Sequence, residues 1–258
     1  MGEKKKIYKI SYCQTCMNRL HDLKETLHLN IEHNKSYPFL EFVILDYNSI
    51  DGLGDWIREN MMDQIESGRI NYYRTEEPIY FSMSHSRNIA FKVAKGEIVN
   101  NLDVDNYTFD TNGKLKPEKC WAACINNIAN QHPEKNIFTK SKQRKHGRIG
   151  FFKNEFIDIL GGYDEDLEGY GWDDHDLVDR AILLGFTPRG WGGSNYFQRI
   201  WTGRKYKNAN MKRNYKETEK ENKIKSKEKI DKGILKANEG KHWGKATLIK
   251  NFKEEIKV

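Results

Sequence analysis

No stretch of this 258-residue chain approaches the roughly 20 consecutive apolar residues that a membrane-crossing helix requires. The opening MGEKKKIYKISY has no apolar signal core or small-residue cleavage site, and Lys6 stands where a myristoylation signal needs Ser or Thr. These absences point to a cytoplasmic protein, at most peripheral to the inner face of a membrane. Cysteine is scarce: Cys13, Cys16, Cys120 and Cys124 are the only four, too few for a secreted disulfide scaffold. Their C-x-x-C and C-x-x-x-C spacing would permit zinc. However, Cys13 falls at a strand end and Cys120 and Cys124 lie beside Trp121, Ile125 and Ile128, which reads as core packing. No RNA- or DNA-reading motif occurs, so no nucleic-acid partner is expected.

What remains is polar but foldable. Mean hydropathy is −0.85 with 31% charged residues, while 37% hydrophobic and 12% aromatic residues suffice for one good core. The net charge of +7 is uneven, because residues 204–258 hold 18 Lys and Arg against 8 Asp and Glu. Such a basic tail suits an anionic membrane surface or is simply a solvated helix face. We expect a catalytic-size domain over residues 1–203 and a basic, mainly helical extension over 204–258, mostly exposed, with Trp243, Leu248, Ile249 and Phe252 docking its end.

Strand and helix patterns alternate along the first part. Residues 6–13 read as a strand, and Leu20, Leu23, Leu27 and Ile31 mark a helix. The apolar run Phe42 to Leu45 ends at Asp46, followed by a turn and one helix through Trp56 and Ile57 to about Ile65. Residues 69–74 give a third strand, and a further helix begins at Pro117. Repeated strand-helix units imply an α/β fold with a mostly parallel central sheet flanked by helices.

Two stretches carry chemistry. In residues 81–107, an amphipathic helix from about Ser84 to Lys95 is stopped by Gly96, and the short strand EIVNNL delivers Asp103, Val104 and Asp105 to its carboxyl end. Ligands gather at that edge of an open α/β sheet, and hard carboxylate oxygens there suit Mg²⁺ or Mn²⁺ carrying a diphosphate. At the first strand-to-helix junction, Arg19 and turn N–H groups could face phosphate oxygens. Asp46 lies at the same edge, where it could accept from a base N–H or sugar hydroxyls or serve as a turn residue. In residues 160–186, LGGYDEDLEGYGWDDHDLVDRAILLGF, a helix starts near Asp173, placing Asp173 and Asp174 at an exposed helix start. One of these carboxylates could take a proton from an acceptor hydroxyl, while Tyr170 and Trp172 offer flat faces to a sugar ring.

With these motifs in view, residues 6–190 resemble family 2 glycosyltransferases of the A-type (GT-A) fold, and the carboxyl block resembles the β-1,4-galactosyltransferase group. The matching segments are CMNR, LDYNSIDG, SRNIAFKVAKGEIVNNLDVD and GGYDEDLEGYGWDDHDL. The resemblance implies transfer from a nucleotide-diphospho-sugar donor, a UDP-sugar above all, to a glycan or lipid-linked saccharide. It assigns Asp103 and Asp105 to the metal, and Thr15, Arg19, Asp46, Arg87, Asp103 and Asp105 to the donor. Tyr170, Trp172 and Asp173 go to the acceptor, and Asp174 becomes the base of an inverting displacement. Asp173 departs from the family's Glu, and His175 from the galactosyltransferases' Asp. Family members often add a histidine metal ligand downstream, and here only His242 follows Trp191. A sugar nucleotidyltransferase is the first rival, but CQTCMNR lacks the glycine-rich loop such enzymes carry after the first strand. A non-catalytic nucleotide-sugar or carbohydrate-binding module of the same fold is the second.

Overall fold

The structure is a computed structural model describing residues 5–108, 120–139, 148–190, 198–200 and 208–258. Four parallel strands form its centre: β1 (Ile10–Cys16), β2 (Leu40–Tyr47), β3 (Ile70–Thr75) and β4 (Ile98–Asn101). Every residue of β2 and β4 is buried, the signature of strands covered on both faces. The period of two decides which side chain goes where. Tyr12, Phe42 and Ile44 pack with Leu23 and Leu27 of α1 (Leu20–His33) and Trp121 of α5 (Trp121–Gln131). Cys13, Val43 and Leu45 face the other way, onto Ile89 and Phe91 of α4 (Met83–Val93) and Leu177 of α7 (Asp173–Leu183). Cys13, Cys16 and Cys120 are buried free thiols divided between those two cores, in keeping with packing.

The sheet is larger and more mixed than its alternating pattern predicts. Its order is β7-β5-β6-β4-β1-β2-β3-β8-β9, with β5 (Asn136–Phe138), β6 (Gly150–Phe152), β7 (Thr187–Arg189), β8 (Thr247–Lys250) and β9 (Glu254–Lys257) outside the parallel core. β6 runs antiparallel to β4, and β8 antiparallel to β3. The helix expected through Trp56 and Ile57 to about Ile65 is broken at Met61 into α2 (Leu53–Asn60) and α3 (Met62–Glu66). The short α6 (Lys153–Asp158) precedes the Gly161-Gly162 turn. The expected helix start at Pro117 and the boundary at 203 lie outside the described residues.

The C-terminal segment returns to the body twice. α8 (Tyr215–Asp231) packs against α7, and Leu248 of β8 is fully buried at the sheet. Phe252 stacks on Tyr72 with ring centroids 4.6 Å apart. The expectation of a mostly exposed helix holds for most of α8 but not for Thr218, Asn222 and Ser226, which are buried. Among the described residues no helix is long and apolar enough to cross a membrane.

Candidate active site

β1 has β2 on one side and β4 on the other, so the crevice at their carboxyl ends is the topological switch point where α/β sheets bind ligands. A cleft of about 160 Å³ opens there. Thr15 near the end of β1, Met17 and Arg19 after it, Asp103, Val104 and Asp105 after β4, and Arg87 and Tyr170 contribute to its lining.

The acidic turn is fixed by polar groups of α1. Beyond the last ladder bond, Leu102 N–H to the Cys13 carbonyl at 2.9 Å, the Asn106 N–H closes a turn onto the Asp103 carbonyl at 3.0 Å. Thr26 Oγ1 donates to the Val104 carbonyl at 2.6 Å and Asn30 Nδ2 to the Asn106 carbonyl at 2.8 Å. Both side chains are fully buried, so they contribute little to an apolar helical pattern while holding the turn in place.

Each acidic side chain of that turn has one arginine at 3.4 Å: Arg87 Nη2 for Asp103 and Arg19 Nη2 for Asp105. Desolvation opposes the Asp103 charge, but Arg87 and the Asn101 amide outweigh it and hold its carboxyl below the usual range. Desolvation and the neighbouring Asp103 charge push Asp105 up to about 6 despite Arg19. Arg148 adds a third positive charge, itself lowered to about 10 by burial, that acts on both carboxylates. A pair left with a raised carboxyl in a cleft, offering only hard oxygens, fits a divalent cation such as Mg²⁺ or Mn²⁺. Among the described residues no group of three or more His, Cys, Asp or Glu could hold a metal, and these two carboxylates are what the cleft lining offers.

Arg87 joins the two acidic stretches. α4 starts at Ser82, whose hydroxyl accepts from the His85 N–H at 3.4 Å, and Arg87 follows in the buried second turn. Its guanidinium reaches Asp103 on one side and, on the other, Asp173 and, at 2.9 Å, Asp174. The Tyr163 ring lies 5.4 Å from it, and the Tyr163 hydroxyl is 3.4 Å from Asp174. The expected exposed helix start is therefore a buried one: the Asp173 side chain is 6% exposed and that of Asp174 13%. Burial, with the like charge of Asp174, pushes Asp173 up to about 7 against the pull of Arg87. Asp173 and Asp174 stand behind Arg87 rather than in the cleft lining.

Three further expected site residues lie outside the cleft lining. Asp46 is fully buried and committed to protein donors: the Ser49 N–H at 2.8 Å, the Tyr72 hydroxyl at 2.7 Å and Arg74 Nη1 at 2.7 Å. It acts as a turn and strand anchor, not as a cleft residue. Trp172 lines a separate groove between α7 and α8, with the His175 ring stacked on it at 4.6 Å and Lys223 Nζ over it at 5.0 Å. Neighbouring protein groups thus already use the flat face expected for sugar. His242 is exposed and lies outside the cleft lining. Thr15, Arg19, Arg87, Asp103, Asp105 and Tyr170 do come together.

Residues the sequence did not signal complete the wall. Phe81 precedes α4, Met83 opens it, and Asn210 arrives from the C-terminal side. Asn210 Oδ1 accepts from Asn18 Nδ2 at 2.7 Å, its Nδ2 donates to the Met17 carbonyl at 2.9 Å, and its carbonyl accepts from the Phe81 N–H at 2.7 Å. No local pattern marks a residue so far along the chain for this position.

Comparison with known proteins agrees with this fold. Residues 11–112 match the family model for glycosyl transferase family 2. No curated protein matches the chain. A mannosyltransferase from Pyrobaculum calidifontis, solved with GDP-Man and Mn²⁺, superposes with a TM-score of 0.62 at 18% identity, over 89% of this chain and 68% of that one. TarS from S. aureus, solved with UDP-GlcNAc, gives 0.57 at 14% identity over 74% of this chain and 59% of its own. The catalytic domain of Drosophila β1,4-galactosyltransferase 7, solved with xylobiose, gives 0.54 at 11% identity over 84% and 80%. Residues 11–112 thus match glycosyl transferase family 2, and the chain has the fold shared by these A-type glycosyltransferases.

Proposed function

We propose that the chain transfers a sugar, with inversion, from a nucleotide-diphospho-sugar, a UDP-sugar in the first instance, to a hydroxyl of a glycan or lipid-linked acceptor. The observation that carries this reading is the Arg87 guanidinium, which ties Asp103 in the cleft lining to Asp173 and Asp174 behind it. Asp103 and Asp105 would hold Mn²⁺ or Mg²⁺, which when bound supplies positive charge to the leaving diphosphate. Arg19, at the cleft beside Asp105, adds a guanidinium for the same phosphate oxygens. Asp174 takes the proton of the acceptor hydroxyl as its oxygen bonds to the anomeric carbon. The bond from that carbon to the diphosphate oxygen breaks on the opposite face, with the electron pair leaving on the nucleotide. Asp173, buried against Arg87, orients its neighbour. Arg87 keeps the carboxylates in place and is too heavily engaged by them to be the main phosphate ligand.

The test is nucleoside diphosphate release from a panel of UDP- and GDP-sugars with Mn²⁺, with and without saccharide acceptors. Release that chelation abolishes is the expected result, and no release from any donor would oppose the reading.

Cation binding itself carries a pH signature. A carboxyl at about 6 must lose its proton to ligate, so Mn²⁺ affinity should hold above pH 6 and fall about tenfold per unit below it. Calorimetric titration at several pH values checks this, and Asp105→Asn should weaken binding and remove the slope. An affinity independent of pH between 5 and 7 would place the cation elsewhere.

A further inference from the structure

Residues 168–171, between the acidic GGYDED turn and α7, form no helix or strand of their own. Positive φ angles at Gly169 (71°), Gly171 (95°) and Trp172 (70°) leave this backbone unable to pair its own polar groups. The side chains of α8 pair them instead. Thr218 Oγ1 accepts from the Tyr170 N–H at 3.3 Å and faces the Tyr170 carbonyl at 2.9 Å, sharing its proton with the Tyr215 carbonyl at 3.2 Å. Asn222 Nδ2 donates to the Glu168 and Gly171 carbonyls, both at 2.9 Å. Ser226 Oγ donates to Asp176 Oδ1 at 2.8 Å in the first turn of α7. A spacing of four puts all three on one helix face, and none is more than 2% exposed.

Loop and helix are built against each other. A Cβ at Gly169 would stand 2.9 Å from Thr218 Cγ2, and one at Gly171 would stand 3.0 Å from Glu219 Cβ, so only glycine lets the backbone approach this closely. Tyr170 lines the cleft and packs edge-on against Tyr215, while Trp172 leads directly into Asp173 and Asp174.

We propose that Thr218 and Asn222 are positioning residues for the transfer reaction: through them the C-terminal helix sets the Tyr170 wall of the cleft and the approach to the acidic pair. This inference rests on the transferase reading for its consequence, but the placement of the loop does not.

Thr218→Val is nearly isosteric and removes both bonds to Tyr170, and Thr218→Ser restores the hydroxyl. In the full chain, T218V is expected to speed hydrogen exchange of the Tyr170 amide at least about tenfold. It should also lower kcat for nucleoside diphosphate release by about tenfold while leaving UDP·Mn²⁺ affinity within about threefold, and T218S should recover kcat. Unchanged exchange in T218V would overturn the claim that α8 holds the loop. Faster exchange with unchanged kcat would overturn its role in the reaction. If T218V does not fold, Asn222→Ala is read the same way. Should the wild-type chain release no nucleotide from any donor, the transferase reading fails, while the exchange rates still decide whether the helix holds the loop.

Discussion

Asp174→Asn is expected to lower glycosyl transfer by roughly 10²- to 10⁴-fold, the range that a positioned general base contributes. The substitution keeps the shape of the side chain and an oxygen for the Arg87 contact at 2.9 Å, so the buried cluster stays assembled. It does not touch Asp103 or Asp105, and UDP·Mn²⁺ affinity should therefore stay within about threefold. Asp173→Asn is the informative partner. Its carboxyl is the more deeply buried, and burial raises it against the pull of Arg87. Its loss should cost less than that of Asp174. Steady-state release with acceptor, measured beside calorimetric nucleotide binding, separates the two, and equal turnover by D174N and wild type would remove Asp174 from the mechanism.

The largest expected effect on stability is at Arg180. Its side chain is 1% exposed and pairs with Asp176, 0% exposed, at 2.7 Å. It also donates to the carbonyls of Leu160 at 2.9 Å, Gly162 at 3.0 Å and Leu235 at 3.3 Å. One guanidinium thus joins α7, the glycine turn before the acidic loop and the chain beyond α8. Arg180→Met would leave Asp176 as a buried carboxylate held, among the described residues, by Ser226 alone and strand those carbonyls. Breaking a buried pair from one side costs about 3–5 kcal/mol, which corresponds to a fall in Tm of roughly 10 °C for a domain of this size. Neutralising the partner as well, in R180M with D176N, should recover part of the loss. Thermal unfolding followed by circular dichroism measures both, and an unchanged Tm in R180M would mean that the clasp contributes nothing.

The parallel core was legible because its signals are apolar and periodic. Leu20, Leu23 and Leu27 could only cover one face of a helix, and the all-apolar centre of β2 could only be a strand buried on both sides. The Asp103 and Asp105 turn was legible because a short strand ends just before it. What stayed hidden is held by polar contacts. Thr218, Asn222 and Ser226 dock α8 without one apolar residue among them, so a Lys- and Glu-rich helix with a buried stripe reads as solvated. Asp46 was misplaced for a related reason: the motif fixes its position at the sheet edge, but Arg74 and Tyr72, far along the chain on the neighbouring strand, absorb its oxygens. Burial of Asp173 was missed because an acidic helix start is ordinarily solvated, and only Arg87, brought from α4 by the fold, makes it otherwise. The antiparallel additions β6 and β8 are short strands whose pairing depends on neighbours distant in sequence.

In the proposed reaction Arg87 joins the cleft carboxylates that would hold the cation to the base behind it. The most direct test is a crystal structure with Mn²⁺ and UDP, read in an anomalous difference map. The predicted result is a single strong manganese peak between the Asp103 and Asp105 carboxylates, with the diphosphate toward Arg19 and Asp174 still tied to Arg87. Manganese bound away from that pair, or nucleotide seated in the Trp172 groove between α7 and α8, would contradict it.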